Sequence, residues 1–315
     1  METRKIGRWN VTPMGLGCMP LSGLPHSRIN MLDDRPAAIG VIHAALDAGV
    51  RLLDTADIYS AYWDQFGHNE VLVGEAVRSW SGTPEQKKEI LVATKGGITR
   101  GPGETWGRAA SVDYLLRAAE ASALRLGVDQ IDLWQHHRLD PTIAFETQFE
   151  NTLVLKERGL VREIGVSNYN AKQLSIAIGI AGKGGVVSVQ NERSPKYLRE
   201  QDVLKVCEDN DVAFLPWSPL GGVGADSKNR EFNGVIQELA TAKQVSAFAL
   251  TIAWHLHSSP SIIPIPGATK VSSVLDSLTG INLALSDGEM KQINSSLTGD
   301  PGVPPDLFAQ PLYRN

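Results

Sequence analysis

The sequence predicts an α/β protein, a (β/α)8 TIM barrel with an N-terminal β-hairpin, forming one domain over residues 1–315. Three observations carry that prediction. Strand-like apolar runs alternate with helix-like segments eight times along the chain. The runs are continuous rather than strictly alternating, which suits parallel strands covered on both faces. The doubly wound alternative lacks its usual Gly-x-Gly-x-x-Gly turn. "GLGCMP" (15–20) breaks that pattern at Pro20, and "GKGG" (182–185) lacks the upstream Gly and following Ser/Thr of a phosphate loop.

The elements follow in order. "TRKIGRWNVTPMGLG" (3–17) has Gly7 and Asn10 among short strand-like pieces and reads as the hairpin. "MGLGC" (14–18) then leads to a helix at 37–49, "RLLDT" (51–55) to 69–80, and "EILVATK" (89–95) to 111–127. "QIDLWQHH" (130–137) leads to 144–159, "VREIGVSN" (161–168) to 171–181, and "VVSVQNE" (186–192) to 201–211. "VAFLPWS" (212–218) precedes a Gly-rich loop and helices at 232–244 and 246–257, and "SIIPIPG" (261–267) leads to 272–278. Such a rhythm requires right-handed crossovers and a parallel sheet, and eight units close it into a barrel. The Pro-rich stretch from 301 onward reads as an irregular surface tail.

Composition excludes several classes. With 42% hydrophobic and 21% charged residues the chain is an ordinary globular sequence. A net charge of −5 offers no basic footprint, so no nucleic-acid partner is expected. Cys18 and Cys207 are too few for a disulfide framework, which fits a reducing compartment. "METRKIGRWN" has no apolar signal-peptide core, and no apolar stretch approaches the ~18 residues of a membrane span. The expectation is a cytoplasmic protein with no membrane partner. His255 and His257 are two apart on a predicted helix and do not share a face, so no metal is expected.

Catalytic groups of such barrels sit at the C-terminal ends of the strands. "LLDTADIYS" (52–60) ends a core strand on Asp54 and Asp57 and adds Tyr59. Turn formation accounts for the aspartates but not for the phenol. Lys95 ends the third strand, His136 and His137 the fourth, Ser167 and Asn168 the fifth, Gln190 and Asn191 the sixth, and Trp217 and Ser218 the seventh. Should Asp54, Tyr59, Lys95 and a histidine converge, the lysine cation favours the phenolate and lowers a pKa of about 10. The carboxylate holds the ammonium in place, and an imidazole orients a carbonyl oxygen. Such a site protonates an oxygen as a hydride reaches the carbon, and nicotinamide is the usual hydride donor. Strand pleating lets only one of His136 and His137 face the barrel mouth. A Schiff base on Lys95 is the alternative chemistry, but it leaves Tyr59 without a role.

These pieces resemble the aldo-keto reductase superfamily along nearly the whole chain. The resemblance is carried by "GLGCM" (15–19), "LLDTADIY" (52–59), "NEVLVGEAV" (69–77), "VATKGG" (92–97), "IDLWQHHRLD" (131–140), "GLVREIGVSNYN" (159–170), "VQNERSP" (189–195), "PWSPLGGVG" (216–224) and "IPIPGAT" (263–269). It implies the same barrel, with a catalytic tetrad on Asp54, Tyr59, Lys95 and His137 and with His136 facing away. It implies an NAD(P)H-dependent exchange between an aldehyde or ketone and its alcohol. Ser167, Asn168 and Gln190 match residues that bind the nicotinamide carboxamide, and Trp217 matches the aromatic stacked on its ring. Ser218, Leu220 and Gly221 match the loop over the pyrophosphate. Gly267, Thr269, Lys270, Ser273, Asp276 and Ser277 fall at the adenine end.

There the sequence departs from the family, with Gly267, Ser273 and Ser277 in place of Lys, Arg and Asn. Lys270 remains as the cation for a 2′-phosphate, so NADPH is expected and NADH use is open. Arg193 replaces a common Tyr, which means an anionic substrate group or a surface ion pair. "SAYWDQFGH" (60–68) places Trp63 and Phe66 near the entrance, and Trp106 reads as packing. A cofactor-binding subunit of a potassium channel is a second use of this fold, against which the complete tetrad weighs. Small carbonyl compounds, including sugars, pyridoxal-like aldehydes and steroid or polyketide ketones, fit the site, as do secondary alcohols run oxidatively.

Overall fold

The computed structural model describes residues 2–23, 34–198, 201–221 and 232–297. The predicted tail from 301 and the glycine-rich stretch 222–224 lie outside them. Strands β1 (Arg4–Ile6) and β2 (Trp9–Val11) form the antiparallel hairpin, turning at Gly7 with φ 53°. Ile6 and Val11 pack with Leu52, Leu91, Leu133, Val187, Leu215 and Ile263 in one buried cluster. The hairpin therefore plugs one end of the barrel interior and leaves the other end for chemistry.

The alternating segments form the expected units, with helix ends within two residues of the prediction, while the strands predicted at 186–192 and 212–218 shorten to Ser188–Gln190 and Ala213–Phe214. β3 (Leu16–Gly17), α1 (Arg35–Asp47), β4 (Leu52–Asp54) and α2 (His68–Ser79) come first. A short helix α3 (Pro84–Lys88) precedes β5 (Leu91–Gly96). A second hairpin, β6 (Ile98–Gly101) with β7 (Thr105–Arg108), follows β5 before α4 (Val112–Leu126). Then come β8 (Ile131–His136), α5 (Phe145–Glu157), β9 (Val161–Ser167), α6 (Ala171–Ala181), β10 (Ser188–Gln190), α7 (Gln201–Asn210) and β11 (Ala213–Phe214). Helices α8 (Gly234–Ala242), α9 (Ala247–Ser258), α10 (Val271–Thr279) and α11 (Asp287–Ser296) complete the described chain. The hairpin β6–β7, α3 and α11 fall outside the simple alternation. They are short, and α3 and α11 each begin with a capping box, at Thr83 and Ser286.

Seven parallel strands lie in the order β11-β10-β9-β8-β5-β4-β3. The predicted eighth strand, 261–267, closes the ring through isolated bridges, Phe214 to Ile262 on one side and Gly17 to Gly267 on the other. Its prolines explain why it forms no full ladder. Ile263 N donates to Phe214 O at 2.8 Å, whereas Pro264 and Pro266 have no N–H and only accept, from Gly15 N and Gly17 N at 3.0 Å each. The outer core fills the space between strands and helices, with Leu53, Trp134, Ile164, Val189 and Phe214 against Ile42, Leu72, Leu115, Phe149 and Leu174.

The closing seam demands close backbone approach. A Cβ at Gly17 would stand 2.8 Å from Ile265 O. Gly17→Ala should therefore destabilise the fold by about 1–3 kcal/mol, read as a lower urea midpoint. An unchanged midpoint would mean that the seam is not closed this tightly.

Candidate active site

The ends of six strands, β4, β5, β8, β9, β10 and β11, build the site. β4 stops at Asp54, and the chain beyond it stays tied to β5: Thr55 N donates to Ala93 O (2.8 Å) and Asp57 N to Lys95 O (3.2 Å). Tyr59 is fixed next, through Tyr59 N to Ala56 O and Asn69 N to Tyr59 O, both 3.2 Å. Asn69 itself is buried, donating to Cys18 O (2.8 Å) and accepting from Thr55 Oγ1 (2.6 Å). Lys95 rises from β5 into the barrel with 0% exposure. Its ammonium donates to Asp54 Oδ2 (2.8 Å), Thr55 O (2.8 Å) and Tyr59 OH (3.0 Å), which uses all three of its protons.

The histidine pair separates as the pleat requires. The His137 ring meets Tyr59 edge-on, with ring centroids 5.9 Å apart. His136 turns to the outer layer, stacks on Trp134 and hydrogen-bonds Tyr169 OH at 2.8 Å. Burial lowers the His136 pKa to about 4. Burial also pushes His137 well below its ordinary value, helped by the cations of Lys95, Arg138 and Arg108, so its ring is neutral at pH 7.

The direction at Tyr59 corrects the sequence-based expectation. Burial raises its pKa above the ordinary value of 10, and the opposing pull of Lys95 does not overcome it. Tyr59 is thus a protonated phenol, a donor rather than a phenolate. Burial works to lower Lys95, but Asp54 and Tyr59 outweigh it and hold the ammonium above its ordinary value.

A continuous chain of hydrogen bonds extends from Asp54 to the neighbouring candidate residues. Gln190 Nε2 donates to Asp54 Oδ1 (2.7 Å), Ser167 Oγ to Gln190 O (2.9 Å), Asn168 Nδ2 to Ser167 Oγ (2.7 Å), and Trp217 Nε1 to Asn168 Oδ1 (3.1 Å). Asn168 and Ser218 hold left-handed backbones, φ 61° and 49°, at the strand exits. Gly221, φ 74°, ends the following turn by donating to Ser218 O (2.9 Å). The Leu220 side chain packs into the core with Met14, Ile252 and Leu256.

The remaining candidates stand apart from that network among the described residues. Gly267 pairs with Gly17, while Lys270 and Ser273 are exposed at the start of α10 and Thr269 is half-buried. Asp276 accepts from Ser246 Oγ (2.6 Å), and Ser277 is buried. Arg193 departs from the surface-pair expectation. It is 3% exposed, with its guanidinium 4.7 Å from the Trp254 ring centroid. His255 is bonded to Pro219 O, and no group of three or more metal-ligating side chains converges among the described residues. Sequence reasoning missed Thr55, which acts through its carbonyl and so carries no side-chain signal. It also missed Arg100, a buried cation discussed below.

The barrel, with a lysine, carboxylate and phenol bonded together at its mouth, defines a class of enzyme-like α/β barrels. The model of the aldo/keto reductase family matches residues 13–298, and the chain belongs to that family of oxidoreductases. An uncharacterized oxidoreductase of Schizosaccharomyces pombe is 31% identical over 285 residues, covering 90% of this chain and 86% of the relative. The aldo-keto reductase yakc [NADP(+)] of the same yeast is 30% identical, covering 94% and 91%. An aldo/keto reductase from Klebsiella pneumoniae, crystallised with NADP and acetate, superposes with a TM-score of 0.74 at 22% identity, covering 96% and 97%. No helix among the described residues is long and apolar enough to cross a membrane.

The neutral buried histidines make a pH prediction. Unfolded histidine titrates near 6.5 and folded His136 near 4, so between these values the unfolded chain binds the extra proton. The stability contributed is present above pH 6.5 and is lost as pH falls through the window. His136→Asn should flatten the slope of unfolding free energy between pH 6.5 and 4.5 by about 1.4 kcal/mol per pH unit. Asp57, whose buried carboxyl is raised by burial and by Glu70, contributes the opposite slope in both proteins and cancels in the difference. Equal slopes in urea titrations would contradict the assignment.

Proposed function

We propose that the protein interconverts an aldehyde or ketone and its alcohol with a nicotinamide cofactor, NADPH being preferred. The observation that carries the reading is the buried ammonium of Lys95, bonded at once to Asp54 and to the phenol of Tyr59. The donor set beside it suits a nicotinamide nucleotide. Amides and a hydroxyl cluster at Ser167, Asn168 and Gln190, the half-buried Trp217 indole stands next to them, and Asn168 Oδ1 keeps a second lone pair. A bound nicotinamide supplies or accepts the hydride.

The chain's own residues supply the rest. Tyr59 delivers its proton to the carbonyl oxygen, and Lys95 steadies the phenolate left behind. Asp54 keeps Lys95 charged and in place. His137, neutral, hydrogen-bonds the same oxygen and orients the carbonyl. In the opposite direction Tyr59 receives the proton of the alcohol. Lys270 at the start of α10 is the cation for a 2′-phosphate, while Gly267 and Ser273, in place of the family's Lys and Arg, leave the pocket less basic and admit NADH. The triply bonded, charged state of Lys95 speaks against a Schiff-base role, which needs a neutral amine.

Two measurements test this reading. NADPH should quench Trp217 fluorescence and bind more tightly than NADH, and absence of binding by either would overturn it. Tyr59→Phe should lower turnover by about 10²–10⁴-fold while NADPH affinity stays within about twofold. Equal loss of both would remove Tyr59 from the chemistry.

A further inference from the structure

We propose that Arg100 is a positioning residue for Tyr59, a role that rests on Tyr59 being the acid. Arg100 leaves β6 with a side chain that is 0% exposed. Its Nη1 donates to Ser60 O and Ser60 Oγ, both 2.9 Å, and reaches Ile58 O at 3.4 Å. Its Nη2 donates to Ala61 O at 3.0 Å. The acceptors therefore lie on Ile58, Ser60 and Ala61, within two residues of Tyr59 on either side. A planar fork of five donors serves more acceptors, in a fixed geometry, than the three donors of a lysine.

The guanidinium is itself held. Arg100 Nε donates to Glu104 Oε2 (2.6 Å), and the Trp106 ring lies 4.7 Å from its carbon. Glu104 Oε1 accepts from Trp63 N (2.9 Å), tying the hairpin tip to the far end of the same loop. Glu104 stands at φ 62°, a left-handed backbone that a residue with a side chain adopts only when its surroundings demand it. Gly103 beside it is also left-handed, φ 69°, as the tight turn joining β6 to β7 requires.

Lys95 and Arg100 belong to one run of chain, β5 and β6, interrupted at Gly97 with φ 111°. Lys95 grips the phenol oxygen, and Arg100 grips the backbone that carries the ring. Lys95 holds the phenol end of the side chain, and the Tyr59 backbone is bonded to Ala56 and Asn69. The Arg100 clamp adds the flanking carbonyls of residues 58, 60 and 61 to that hold. A shift of about an ångström at such a group is enough to cost turnover heavily.

The test compares Arg100→Met, Arg100→Lys and Glu104→Gln, with kcat expressed per NADPH-binding site so that loss of folded protein is removed. Arg100→Met should lower kcat at least about tenfold with KM and NADPH affinity within about twofold. Arg100→Lys should recover only part of it, and Glu104→Gln should lose at least about threefold. Amide hydrogen exchange should quicken over residues 58–63 and not over β5. Should Arg100→Met fail to fold, Glu104→Gln decides. Wild-type kcat per site in the folded variants, or unchanged exchange over 58–63, would overturn the proposal. Tyr59→Phe assayed in parallel separates the two ideas, because normal turnover there sinks the acid assignment itself, whereas the exchange measurement needs no turnover.

Discussion

The buried ammonium of Lys95 organises this molecule's functional end. A lysine with no exposure has to satisfy three protons without water, and it finds three oxygens: a carboxylate, a carbonyl and a phenol. Those oxygens come from one short segment, Asp54 to Tyr59, which must leave β4 and turn back within a few residues. The segment can do so because its backbone keeps bonding β5, strand to loop, through Thr55 and Asp57. Removing one partner would leave a buried charge uncompensated, at a cost of about 3–5 kcal/mol. The lysine is thus both the structural anchor of the loop and the electrostatic partner of the phenol.

Burial also decides the protonation state of the site. Excluding water disfavours the phenolate of Tyr59 and the imidazolium of His137 alike. Lys95 reinforces the second effect and opposes the first without reversing it. The result is a neutral acid beside a neutral hydrogen-bond donor, with one fixed positive charge behind them. That arrangement suits proton delivery to a carbonyl oxygen and stabilises the anion formed when the proton leaves.

Much of this was legible in the sequence, because the barrel repeats a simple rhythm and its chemistry sits at predictable strand ends. Asp54, Tyr59, Lys95 and the two histidines could be named from position alone, and the alternation of a strand required that only one histidine face inward. The balance at Tyr59 could not be read, since it sets burial against a nearby cation and neither magnitude is visible in residue types. The eighth strand was readable as an apolar run, yet its prolines reduce it to one-way hydrogen bonds at a seam. Thr55 contributes a carbonyl that any residue would carry. Arg100 was hidden because an arginine in "GGITRG" gives no sign that it turns inward until the hairpin around it is seen. The residues proposed for the adenine end could be named only through the family resemblance, because exposed side chains at the start of a helix follow no packing constraint.

Tyr59 stays protonated through neutral pH because burial outweighs its lysine. The most direct measurement is the titration of ¹³Cζ-labelled tyrosine by NMR, with the Tyr59 resonance assigned by its loss in Tyr59→Phe. The Tyr59 phenol chemical shift should persist beyond pH 10. A Tyr59 resonance that moves to the phenolate position below about pH 8 would contradict it.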